Sequence, residues 1–161
     1  MALLNRMAAA IGTDRFLKML RVYPPYLGAG LVLRSVDRDL TAIEVEMRLR
    51  LFNQNFVGTH FGGSLYSMCD PWFMIMLMHQ LGDGYVVWDK SATVDFLKPG
   101  RGTVRARFEM PRERVAALKA EVDDKGKINP TFETVVTGVE GEAVARVTKL
   151  LSIRRKDRGR G

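Results

Sequence analysis

Asn55-Phe56-Val57-Gly58-Thr59-His60-Phe61-Gly62-Gly63-Ser64-Leu65-Tyr66-Ser67-Met68-Cys69-Asp70 runs directly into Pro71-Trp72-Phe73-Met74-Ile75-Met76-Leu77-Met78, so that a polar loop opens a long apolar segment. Gly62 and Gly63 let the backbone come close to a ligand. A helix beginning there turns its free N–H groups and positive dipole end toward whatever lies in front of it, a setting that suits an oxygen gaining negative charge. Asp70 then follows among Met68, Cys69, Pro71, Trp72 and Phe73, where an ionisable carboxylate needs either a partner or a task.

From Gly63 to Leu81 the residues are apolar nearly all round, which predicts a helix buried on most sides, its Met68, Met74, Met76 and Met78 filling irregular gaps. A sheet wrapped around the helix would supply that burial. Ile43, Val45, Met47, Leu49 and Leu51 alternate with Glu44, Glu46, Arg48 and Arg50, which predicts a strand over 42–51. Residues 29–37 are expected to pair with it across the turn Asp37-Arg38-Asp39. Further strands are expected at about 85–98, 103–110, 130–138 and 143–153, with a short helix near 111–122. Leu3, Leu4, Met7, Ile11, Leu17 and Leu20 share one face of an amphipathic helix over 3–21, ended by Tyr23-Pro24-Pro25. The expected class is α+β, one antiparallel sheet around a long central helix, with an N-terminal amphipathic helix. The expected organisation is an N-terminal helical segment (1–27), a single domain (28–153) and a mobile basic tail (154–161).

With 161 residues, 47% hydrophobic and 27% charged, the chain suffices for one domain with a sizeable core. Its one cysteine, Cys69, excludes an internal disulfide framework, fits a reducing compartment and reads as a small buried hydrophobe. Arg6, Asp14, Arg15 and Lys18 interrupt the apolar residues of the N-terminus, so neither a signal peptide nor a membrane span is expected, and the location expected is cytoplasmic. Part of the net charge of +7 lies in the tail Arg154-Arg155-Lys156-Asp157-Arg158-Gly159-Arg160-Gly161. No nucleic-acid module is recognisable and arginines do not interleave with aromatics, so nucleic acid is not the expected partner. An acidic small molecule such as a coenzyme A ester would use the same positive surplus. His60, His79 and Cys69 make no metal-ligand spacing, and no metal is expected. There is no serine-centred nucleophile elbow and no phosphate-cradling glycine loop.

The segment from Asn55 to Gly63, with Asp70 seven residues beyond it, resembles the signature of hotdog-fold thioesterases of the phenylacetyl-CoA thioesterase type. Val94-Asp95-Phe96-Leu97-Lys98-Pro99-Gly100-Arg101-Gly102-Thr103 is similar to that family's strand-and-turn segment. The likeness spans roughly residues 28–153 and is greatest to uncharacterised thioesterase-like domains of this superfamily. It implies a helix wrapped by a sheet, a homodimer or a dimer of dimers (homotetramer), and hydrolysis of an acyl thioester carried by coenzyme A or a carrier protein. No cofactor is implied apart from the coenzyme A of the substrate. Asn55 matches the asparagine that positions substrate or water, Asp70 the carboxylate acting as general base or nucleophile, and the Gly62 and Gly63 amides the oxyanion donors. Phe61 holds the place of the family's histidine, with His60 one residue earlier, and Asp89 lies about where some relatives carry a serine or threonine that helps hold water. These departures leave a second reading, a non-catalytic acyl-CoA or lipid-binding hotdog protein. A dehydratase or hydratase of the same fold needs a histidine and acid pair that the motif does not provide.

Several residues keep two readings. Asp70-Pro71 either starts a helix as a cap and first-turn pair, or sits within a helix that Pro71 kinks, freeing the Ser67 carbonyl. If Gly63 and Asp70 share a helix, about 10.5 Å of axis separates them. Reacting atoms must approach within roughly 3–3.5 Å, so the amides of one chain would have to work with the carboxylate of another. His60 either touches substrate or bonds loop backbone, and His79 reads as a partner of the helix C-terminus. Lys90, by period two, shares an inward face with Val86, Trp88, Ala92, Val94 and Phe96, where it would pair with Asp70 or Asp89, hold an anionic group of the substrate, or reach out to water. Lys98 and Arg101 flank a turn, as ordinary solvated charge or as ligands of coenzyme phosphate.

Overall fold

A computed structural model describes residues 22–156. The helix expected over 3–21 and the last residues of the basic tail lie outside the described residues. In chain order the elements are α1 (Pro24–Ala29), β1 (Leu31–Val36), β2 (Ala42–Arg48), a 3-10 turn (Leu51–Asn53), α2 (Gly62–Ser67) and α3 (Trp72–Leu81). They continue with β3 (Tyr85–Phe96), β4 (Thr103–Glu109), α4 (Arg112–Lys125), β5 (Lys127–Ile128), β6 (Thr131–Thr137) and β7 (Ala143–Arg155). All strand pairings are antiparallel, in the order β1-β2-β4-β6-β7-β3, with β5 also on β7. This α+β arrangement is the hotdog fold: the seven-stranded sheet wraps a helical rod running from Gly62 to Leu81.

The rod is broken between Ser67 and Trp72, at the proline that cannot donate to the preceding turn. The Trp72 indole N–H donates to the Met68 carbonyl at 2.7 Å and satisfies one of the groups the break releases. Beyond it α3 buries Trp72, Phe73, Met76 and Leu77 against the inner face of the sheet. Phe73 meets Phe108 edge-on with centroids 5.3 Å apart and stacks on Phe132 at 5.2 Å. Burial of each such side chain is worth about 1.5–3 kcal/mol, and the aromatic geometry adds to it.

Ile43, Val45 and Met47 of β2 are fully buried, as their alternation predicts, but the strand ends at Arg48 and Leu51 is 92% exposed. The apolar alternation outlasts the strand because Asn53 intervenes. Its side chain donates to the carbonyls of Ala29 and Arg48 and accepts the Arg50 N–H, turning the chain out of the ladder. Glu46, on the outer face, is buried because Arg34, Arg48 and Arg105 close over it at 3.7, 3.4 and 3.2 Å. Next to the other edge strand, β3, β7 continues through Arg155, into the segment expected to be tail, and pairs there with Tyr85 and Val86.

The largest departure from simple periodicity is in β3. Its register against β7 slips between Asp89 and Ser91, leaving Lys90 as the extra residue of a β-bulge. Val87 and Asp89 lie opposite the inward Ile153 and Leu151, whereas after the bulge Ala92, Val94 and Phe96 are the residues opposite inward Lys149, Val147 and Ala145. Trp88 and Ala92 therefore face opposite sides of the sheet, and Lys90 is exposed. The inward placement expected for Lys90 assumed an unbroken period of two and is corrected by the bulge.

Candidate active site

Asp70 lies in the break of the central rod, and three elements bring side chains to it. The Tyr66 hydroxyl, one helical turn earlier on α2, donates to Asp70 Oδ1 at 2.6 Å. Lys149 Nζ, from the inner face of β7, donates to the same oxygen at 2.8 Å and to the Tyr66 hydroxyl oxygen at 3.2 Å. Asp89, from β3, places its Oδ1 3.2 Å from Lys149 Nζ, within ion-pair distance but off the line a hydrogen bond needs. Asp70 does not cap α3, whose N-terminal residue before Trp72 is Pro71. Nor does it lie within a kinked helix: α2 ends at Ser67 and α3 begins at Trp72, so the segment is a break, with the carboxylate turned to Tyr66 and Lys149.

Lys149 is 1% exposed and Asp70 about half exposed. Oδ1 of Asp70 is held by two donors, while Oδ2 takes no hydrogen bond among the described residues. Burial pushes the Asp70 carboxyl upward, and the hydrogen bonds from Lys149 and Tyr66 with the Lys149 charge outweigh it, holding the group below its ordinary value. For Asp89 burial wins: its carboxyl is held above its ordinary value, Lys149 offsetting only part and the Asp70 charge adding to it. Burial likewise works against the Lys149 ammonium, but its bonds to Asp70 and Tyr66 and the two carboxylate charges raise it above its ordinary value. One buried cation thus faces two acids whose proton affinities are shifted in opposite directions.

The two glycines open α2, and two phenylalanines cover them. A Cβ at Gly62 would come within 2.8 Å of Phe96 Cζ, and one at Gly63 would collide with the ring of Phe61, so a side chain at either position would have to displace the ring that lies over it. Phe61 and Phe96 are themselves 55% and 61% exposed. The first helical N–H bonds run from Ser64 and Leu65 to the Phe61 carbonyl, which leaves the Gly62 and Gly63 amides as the free donors of the helix start.

Asn55 and His60 hold the entry loop. Asn55 Oδ1 accepts the N–H groups of Val57 and Thr59 at 3.1 and 3.0 Å, and its amide donates to Thr59 Oγ1 at 2.8 Å and the His60 carbonyl at 3.3 Å. His60 is 3% exposed. Its Nε2 lies 3.0 Å from the Gly102 carbonyl, its backbone N–H donates to Gly100, and burial lowers its pKa against that bond. The imidazole thereby ties the loop after β2 to the loop before β4, which carries the exposed Lys98 and Arg101. His79 lies in the last turn of α3. Cys69 is fully buried, its thiol pushed up to about 12 by burial, and is inert.

The structure thus brings Asp70 together with Asp89, and sets the glycine amides under Phe61 and Phe96, while Lys90 lies outside the cluster. The cation sought for the inward face is Lys149. Its signal was present in the sequence: within the strand expected over 143–153 it is in phase with Ala145, Val147, Leu151 and Ile153, all fully buried. Tyr66, four residues before Asp70, was equally legible as a same-face helical neighbour. Among the described residues no three His, Cys, Asp or Glu side chains come together in a way that suits a metal ion. No helix among them is long and apolar enough to cross a membrane.

In sequence, none of the curated proteins matches the chain. Solved structures do match in fold. A protein of unknown function from Pseudomonas aeruginosa, described as a probable thioesterase, superimposes with a TM-score of 0.75 at 21% identity, over 87% of this chain and 96% of that one. A thioesterase from Haemophilus influenzae gives 0.64 at 14% identity, over 91% and 94% of the two chains. The PaaI protein of the E. coli phenylacetic acid degradation operon gives 0.60 at 18% identity, over 89% and 92%. These likenesses establish the shared hotdog fold. In sequence, the model of one family matches residues 12–153, a span that holds the entry loop, both glycines, Asp70, Asp89 and Lys149, and the chain belongs to that family, described as a domain of unknown function (DUF4442).

Proposed function

We propose that the chain hydrolyses acyl thioesters, with acyl-CoA as the substrate class, at sites shared by two copies of itself. The observation that carries this reading is the state of Asp70: Oδ1 anchored by Tyr66 and Lys149, Oδ2 free and accessible, and the carboxyl held ionised. Oδ2 either takes a proton from water as the water oxygen attacks the thioester carbon, or attacks that carbon itself. The carbonyl oxygen gains the charge, and the Gly62 and Gly63 amides are suited to receive it. On the first route the C–S bond then breaks, the oxygen returns to a carbonyl and the thiolate leaves with the proton that Asp70 took. On the second the thiolate leaves an acyl anhydride on Asp70, which water hydrolyses to the free acid, restoring the carboxylate and supplying the proton of the thiol.

Two copies are needed on this reading because seven positions of helical path, about 10 Å, separate Gly63 from Asp70, more than one reacting carbonyl spans. The molecule offers an edge for the second copy. β3 is one of the two edge strands of the sheet, twelve residues long, with Trp88, Phe96 and Leu97 exposed on it or just beyond. Asn55 keeps the entry loop in shape, and the exposed Lys98 and Arg101 beside it offer charge to coenzyme phosphates. A cytoplasmic location accords with the free, buried Cys69.

The test is a panel of acyl-CoA esters and acyl-carrier thioesters assayed for release of free thiol. Turnover of at least one supports the hydrolase. Saturable acyl-CoA binding with no thiol release at any chain length assigns the non-catalytic binder instead.

A further inference from the structure

Neither Lys149 nor Asp89 belongs to the loop-and-helix motif that carries Asp70, yet both are held against it. The Lys149 ammonium has three donors and three oxygens around it: Asp70 Oδ1 at 2.8 Å, Asp89 Oδ1 at 3.2 Å and the Tyr66 hydroxyl at 3.2 Å. At 1% exposure it has no water to turn to, so the two carboxylates are its counter-charges. The strands enforce the sharing. Lys149 lies opposite Ala92, the first inward residue after the bulge, and Asp89 is the last inward residue before it, so the bulge at Lys90 sets Asp89 beside the ammonium.

We propose that Lys149 is a positioning residue for Asp70 and that Asp70 and Asp89 share its ammonium as coupled acids, so that removing Lys149 and removing Asp70 act on Asp89 in opposite directions. The other groups facing the cluster are Tyr66 from α2, Cys69 from the break and Tyr26 from α1. Burial raises all three, the Cys69 thiol to about 12, and they stay neutral across the working range. The variable charges are therefore the two carboxylates around a fixed cation. Lys149 does not touch the reacting atoms; it pins Oδ1, which leaves Oδ2 the oxygen that works, and its field, little screened at this depth, keeps Asp70 charged. Asp89 feels the same cation together with the repelling charge of Asp70, which is already ionised when Asp89 titrates.

The experiment is a carbon-13 NMR titration of the aspartate carboxyls in wild type, Lys149→Met and Asp70→Asn, with Asp70→Asn and Asp89→Asn assigning the two signals, alongside the pH dependence of kcat/KM for acyl-CoA hydrolysis. Lys149→Met keeps the stem volume and removes the charge, and is expected to raise the Asp70 midpoint by about 1–3 pH units. It is expected to raise the Asp89 midpoint as well, whereas Asp70→Asn is expected to lower it. The acid limb of kcat/KM in Lys149→Met should move up with the Asp70 midpoint, a response that a merely structural role would not give. Asp89 midpoints that stay fixed in both variants, or that move the same way, overturn the proposal. Should Lys149→Met fail to fold, Asp70→Asn decides alone: a lowered Asp89 midpoint supports the coupling, and an unchanged or raised one overturns it. The kinetic arm rests on the hydrolase reading and the NMR arm does not, so absence of hydrolysis in wild type counts against that reading while the titration still decides this one.

Discussion

Lys149 Nζ lies 2.8 Å from Asp70 Oδ1 although 79 positions of chain separate the two residues. The bond joins the last strand of the sheet to the break in the central rod, so the site is assembled only when sheet and helix have closed on each other. A buried ammonium is costly without a partner, and its placement on the inner face of β7 is understandable only together with the two carboxylates it meets.

Stability should follow pH through these groups. Asp70 is held below its ordinary value, so its contribution is complete above the unfolded carboxylate value and is lost as pH falls through the folded one. Lys149 is held above its ordinary value, so its contribution is complete below the unfolded lysine value and is lost as pH climbs through the folded one. Asp89 opposes Asp70: its raised value means that ionising it in the fold weakens the fold as pH rises from its unfolded value to its folded one. Urea midpoints measured across pH should drop at the acid end, and Asp70→Asn should flatten that drop. Identical acid profiles for the two proteins would contradict the electrostatic assignment.

Trp72 anchors the rod just after its break, fully buried, with its indole N–H on the Met68 carbonyl and its ring 5.6 Å from Tyr26. Trp72→Ala should cost about 3–5 kcal/mol in chemical denaturation, and Trp72→Phe less, since it loses the N–H bond while keeping much of the packing. Equal losses from the two substitutions would show that the hydrogen bond, not the volume, secures the break.

Lys90→Met should leave the melting temperature and thioester turnover unchanged, within about 0.5 kcal/mol of stability, because the lysine is exposed on the bulge. A strong loss of turnover would return Lys90 to the site. This residue also marks where the sequence stops being legible. The alternation of Ile43, Val45 and Met47, the apolar run after Gly63 and the proline break each announce themselves locally, and with them the fold and the place of Asp70. A bulge is invisible to a period-two reading because it depends on the partner strand, and it sent the search for an inward cation to β3. Lys149 was in phase with its strand's buried face, but only the long-range pairing of β3 with β7 reveals what it meets. Glu46 is buried for a similar reason, through arginines contributed by three strands.

Light scattering over a dilution series, with specific activity measured on the same samples, tests the shared site. The mass should correspond to a dimer or a dimer of dimers at micromolar concentration, and activity per chain should fall as the mass falls to that of one chain. A monomer with full activity would show that one chain brings both groups to one carbonyl.

The most direct measurement compares kcat of wild type and Asp70→Asn on the acyl-CoA turned over fastest, with free thiol as the readout and melting temperature as the control. Asparagine keeps the acceptor for Tyr66 and Lys149, and Asp89 remains to balance the ammonium, so the fold should hold and KM should change little. The predicted result is a fall in kcat of about 100-fold or more. Turnover that survives while the melting temperature drops would mean that Asp70 only braces Lys149, and would contradict the account.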